Sequence, residues 1–197
     1  MFQDISNFEE RLKLPKGFYS KLLEEDDWSF VIKLSTLFEA ACTHILSIKL
    51  RAPELESSLS FLEQANTKCG KILLLKKLEA INDSQYKFLE KLASLRNKIS
   101  HRIENVNFTF TAYTTSFDKN QKDAFIESFA YNWSDSVKIK DKTLSKHDFA
   151  MNNSKFVLWY TAADIFACLY VEIDVMKLKA EKEAFNFYMQ NLTSCSS

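Results

Sequence analysis

Leu92-Ala93-Ser94-Leu95-Arg96-Asn97-Lys98-Ile99-Ser100-His101-Arg102 carries two patterns at once. Leu92, Leu95 and Ile99, continued by Ile103 and Val106, recur every three or four residues and draw one apolar stripe down a helix. At about 100° per residue, Asn97 and His101 fall together on the opposite face, with Glu90 and Ser94 alongside. Arg96 lies at the edge of the stripe, roughly 140° around an ideal helix from His101. The two side chains can therefore share a site only through arginine's reach, a distorted helix end or a second chain. By pattern alone this polar group is either a site or a solvated helix face.

The rest of the chain supports a helical setting. Two glycines and two prolines are too few for a Gly-rich phosphate loop or a turn-dense β architecture, both of which consume glycine. At 197 residues the chain suits a single domain, 1–197, with a core of its own. Acidic and basic residues balance at 26 each, so no global field steers it to nucleic acid or an anionic membrane, and any such contact must be local. Cys42, Cys69, Cys168 and Cys195 form no C-x-x-C pair and have no partner histidine at zinc-finger spacing. This fits a reducing, cytoplasmic setting, and Met1 to Asn7 lacks the basic and apolar run of a secretory signal. The most apolar stretch, Phe156 to Val171, contains Asp164 and is shorter than a usual membrane span, so it reads as a buried core helix.

Outward from the central stretch, Asn82-Asp83-Ser84 with Gln85 forms a capping box, and the helix it starts is expected to run from Ser84 to about Val106. Upstream, Phe2 to Leu14 reads as an arm or short helix. Asp26 or Asp27 caps a core helix over Trp28 to Leu50, with Val31, Leu34, Phe38, Ala41, Cys42 and Ile45 on one side and Glu39 at the stripe's edge. Pro53 starts a helix over Glu54 to Ala65, with Leu55, Leu59 and Leu62 inward, and Lys71 to Ile81 is another. Downstream, Asn107 to Tyr113 alternates with period two and predicts a strand or extended segment. Gln121 to Tyr131 predicts a helix, and Val137 to Lys142 a short strand and turn. Residues 107–152 are thus an expected insertion, after which a long helix from Asn153 to Lys182 closes the bundle, its tail crossing to a neighbour or fraying. The expected fold class is all-α, an antiparallel helical bundle.

Histidine exchanges protons near neutrality, and arginine's planar fork holds phosphate oxygens. Together they supply what cleavage of an RNA phosphodiester needs: a base for the ribose 2′-hydroxyl and a cation for the charge building on phosphorus, with no metal required. Asn97, one turn before His101, can orient the histidine or the phosphate. Lys98 and Arg102, with Lys76 and Lys77, are candidates for a local basic rim on RNA phosphate. Tyr113, Tyr131 and Trp133 have faces for stacking bases, with packing of the insertion the simpler use. His44, five residues after Glu39, and His147, beside Asp148, belong to no carboxylate-histidine set at fixed spacing, so neither a metal centre nor a cofactor is expected.

Arg96-Asn97-Lys98-Ile99-Ser100-His101, late in a central helix, resembles the R-x4-6-H motif of the HEPN superfamily, including the asparagine after the arginine. The resemblance covers roughly Trp28 to Val106. It implies a metal-independent endoribonuclease of toxin or phage-defence type, working as a homodimer that brings two motifs together, restrained or assisted by an antitoxin or other protein partner. It also implies an acidic residue on an earlier helix, for which Glu39 is the candidate. A second set of residues is similar to the mannitol operon repressor family: Phe38-Glu39-Ala40-Ala41, Lys71 to Leu78, Ile81-Asn82, Leu95-Arg96 to His101 and Phe108-Thr109. That resemblance implies the same helical fold with a non-catalytic regulatory or partner-binding role. The asparagine after the arginine departs from it.

Overall fold

Three long helices form the centre because their apolar residues recur at helical spacing, and the first two of them start on side-chain caps. The computed structural model describes residues 2–101, 103–140 and 142–194. Helix α1 (Phe2–Arg11) is followed by the single turn α2 (Phe18–Lys21), and α3 spans Asp27–Lys49. Asp26 caps α3, its carboxylate accepting from the backbone and hydroxyl of Ser29, which holds it below the usual carboxylate range. A 3-10 turn at Pro53–Leu55 leads into α4 (Glu56–Leu59), then α5 (Lys71–Lys77) and α6 (Asp83–Ser100). The expected Asn82/Gln85 capping box starts α6, with both reciprocal hydrogen bonds formed. Next come α7 (Phe110–Thr115), α8 (Lys119–Phe129), the antiparallel hairpin β1 (Ser136–Ile139) and β2 (Lys142–Ser145), α9 (Lys146–Asn152) and α10 (Ser154–Ser194).

Helix α3 packs on both α6 and α10, and α1 runs along α10. Phe38 of α3 and Phe166 of α10 stack with centroids 4.0 Å apart, while Phe88 of α6 meets Phe38 edge-on. The all-α bundle expected from the periodicity is therefore the observed fold, with a small two-stranded element in the insertion. By length and composition two helices, Asp27–Lys49 and Ser154–Gln190, could each cross a membrane; more than half of each apolar window is buried in the bundle. Within the stretch read as a core helix, Val157, Leu158, Ala162, Ile165, Phe166 and Leu169 are all buried.

The structure departs from expectation in four places. Asn107 to Tyr113 is not a strand: Thr109 caps α7 by accepting from the Ala112 amide, and Asp27 accepts from the Phe110 amide, so the local caps override the alternating pattern. The segment after Pro53 forms only short turns, with Leu55 exposed and Leu59 and Leu62 half-buried. The tail beyond Lys182 continues α10 as helix. Finally, α6 stops at Ser100 rather than near Val106, and Ile103, read as core, is 85% exposed.

Candidate functional site

The early stop of α6 builds the site. A helix end leaves its last carbonyls without intrahelical donors, and here side chains take them. Trp28 at the start of α3 donates its indole N–H to the Ile99 carbonyl at 3.3 Å, and Asn105 donates its side-chain amide to the Lys98 carbonyl at 3.0 Å. The chain then turns away into a 3-10 segment, Ile103–Asn107. His101 occupies the C-cap and is exposed, while Leu92, Leu95 and Ile99 fix the buried side of the helix.

Arg96, Asn97 and His101 consequently line a single open groove of about 500 Å³ within one chain. The Arg96 guanidinium donates to the Asn97 side-chain oxygen at 3.0 Å, so the asparagine orients the arginine. Glu39 of α3 lines the same groove, which brings together the four residues singled out for catalysis, though not Lys98. Arg96 and His101 keep their angular separation on the helix, which stays regular to His101, and the groove is broad enough to be lined by both. The facing wall is the segment Ser60 to Asn66, which joins α4 to α5.

Two residues that shape this wall, one behind it and one on it, went unrecognised in the sequence. Lys71, at the start of α5, has a fully buried side chain whose ammonium donates to the Ser60 carbonyl at 2.9 Å and lies 3.4 Å from a Glu39 carboxylate oxygen. A buried ammonium is tolerated where it is paired and hydrogen-bonded, and this one ties the wall to α3 beneath the groove. Phe61 lines the groove and is 89% exposed. The available signal was its position between Leu59 and Leu62, off their three-residue spacing. The wall also covers Cys42, whose thiol lies 3.4 Å from the Gln64 side-chain nitrogen and is pushed up to about 12 by burial.

Other candidates lie elsewhere. Lys98 faces a different groove, with its ammonium 5.0 Å from the Tyr113 ring centroid, and Arg102 lies outside the described residues. Lys76 pairs with Asp83 at 2.7 Å. Tyr113, Tyr131 and Trp133 are half-buried, and Trp133 packs on Phe149 while donating to the Thr161 hydroxyl. A second groove, of about 540 Å³, adjoins the first across Glu39 and Ser60 and is also lined by Lys71, Arg11, Lys13, His44 and Glu56. There His44 sits 3.1 Å from the Glu56 carboxylate. Among the described residues, no three His, Cys, Asp or Glu side chains converge as metal ligands.

Compared with family models, curated proteins and solved structures, the chain matches none. Its likeness to the HEPN superfamily and to the mannitol operon repressor family rests on the motif residues and the helical setting alone.

Proposed function

We propose that this chain is a metal-independent endoribonuclease of HEPN type, of toxin or phage-defence character, acting on RNA in a reducing cytoplasm. The observation that carries the reading is the convergence of Glu39, Arg96, Asn97 and His101 on one open groove. In this scheme His101 takes the proton of a ribose 2′-hydroxyl, and the 2′ oxygen attacks the adjacent phosphorus. Arg96, oriented by Asn97, holds the phosphate oxygens as negative charge builds on them. The 5′ oxygen leaves, takes a proton from solvent at the open groove, and a 2′,3′-cyclic phosphate remains. Glu39, anchored by Lys71, offers an acceptor for ribose hydroxyls. His101 supplies general base catalysis, worth about 100- to 10,000-fold.

A homodimer belongs to the same proposal. Val171, Leu178 and Phe185, seven residues apart on the outer half of α10, are exposed, which is the spacing of a coiled-coil seam. The same ridge favours the second reading, a non-catalytic regulatory or antitoxin-like module for which it is the protein-binding surface. The two are separated by incubating wild type and His101→Ala with pooled single-stranded and transfer RNA in EDTA. The nuclease reading expects cyclic phosphate ends from wild type and an intact pool from the variant. Cleavage that survives in His101→Ala, or an intact pool with both proteins, counts against it.

A further inference from the structure

We propose that Phe61 is a stacking platform for an unpaired nucleobase, which makes single-stranded RNA the substrate class of the groove; the inference rests on the RNA-binding part of the reading above. Three observations lead to it. The ring is the most exposed large apolar side chain among the described residues, at 89%, and has no aromatic partner among them. It stands on the wall opposite Arg96 and His101 in the same groove. Its wall is a fixed support: the Lys71 and Ile72 amides donate to the Glu63 and Gln64 carbonyls at 3.0 and 3.2 Å, and the Gly70 amide to the Asn66 carbonyl at 2.9 Å.

Charge sets the direction in which a strand lies. Phosphate is drawn to Arg96 on α6, whereas Glu63 on the Ser60–Asn66 segment and Glu39 on α3 both repel it, so the backbone follows α6 and the base turns toward Phe61. Any base offers a π-face to such a ring, so the contact is tolerant of sequence. Bases in an A-form duplex are stacked inside the helix and do not reach a single exposed ring, so duplex RNA is rejected on shape.

The test uses the cleavage-silent His101→Ala protein with a short single-stranded RNA containing 2-aminopurine, and the same RNA as a duplex. Stacking is expected to change 2-aminopurine emission on binding. Adding Phe61→Ala should abolish that change and weaken affinity about 5- to 150-fold, and Phe61→Trp should restore both. Because the ring is exposed, Phe61→Ala should leave the unfolding midpoint unchanged. Equal affinity for duplex and single strand, or an unchanged signal in Phe61→Ala, overturns the stacking role even where wild type cleaves RNA. A Phe61-dependent signal with an inert wild type sustains the stacking role and removes the nuclease. No signal with any RNA, as for a groove that takes a protein segment, overturns the proposal.

Discussion

The two grooves that meet at Glu39 and Ser60 have similar volumes and similar residue types, yet they treat their histidines in opposite ways. In one, His44 is half-buried and lies 3.1 Å from Glu56, with Ser47 also reaching that carboxylate. In the other, His101 stands exposed at a helix end and, among the described residues, makes no hydrogen bond or ion pair. A histidine engaged by a carboxylate fastens two segments, here α3 and α4. One left open in a groove that also holds an arginine can exchange a proton with whatever enters, which is the role the proposed nuclease gives it. Residue type alone does not separate these roles; the backbone that carries each histidine does.

The comparison is most exposed to refutation by a pair of substitutions. His101→Ala should lower the initial rate of RNA cleavage in EDTA by about 100- to 10,000-fold, with His44→Ala within about twofold of wild type. Similar losses from both would erase the distinction. Lys71→Met reaches both grooves, because it removes the donor to the Ser60 carbonyl and the cation beside Glu39. It should destabilise the protein by about 3 kcal/mol, read as a lower urea midpoint; an unchanged midpoint would show that the ammonium supports neither groove. Gly70→Ala strikes only the His101 groove. An added Cβ meets Asn66 backbone nitrogen at 2.4 Å and oxygen at 2.6 Å, so the wall must shift, at about 1 to 2 kcal/mol. Alkylation of buried Cys42 at pH 8 should then accelerate, and labelling as slow as in wild type would show an undisturbed wall. The smallest effect is expected from His44→Gln, about 0.2 to 1 kcal/mol by thermal melting, since its partner Glu56 is partly open to solvent.

Local, dense signals were legible in the sequence. The apolar spacing of Val31 to Ile45 and the Asn82/Gln85 box define α3 and the start of α6 to within a residue or two of the observed ends. The end of α6 was not legible, because Ile103 and Val106 continue the apolar period while the carbonyls that terminate it are taken by Trp28 and Asn105. Trp28 is 71 residues from Ile99 along the chain, a contact that periodicity does not encode. The insertion failed for a related reason: aromatic alternation at Asn107 to Tyr113 is a strand signal until Thr109 and Asp27 claim its amides. Within the site, Arg96, Asn97 and His101 came from the motif and Glu39 from family likeness. Lys71 and Phe61 depend on how the segment from Ser60 to Gly70 folds back on α5, and residue spacing does not report that.

The indole of Trp28 is more than a cap for the α6 terminus. Its N–H meets the Ile99 carbonyl two residues before His101, so its emission is coupled to the helix end that presents the histidine. Trp159 is buried with its indole on the Tyr19 carbonyl, and Trp133 packs in the insertion. With the chain's other two tryptophans replaced by phenylalanine, Trp28 becomes a single-site optical reporter, able to follow in real time whether RNA arrival loosens or tightens that helix end without a label in the groove.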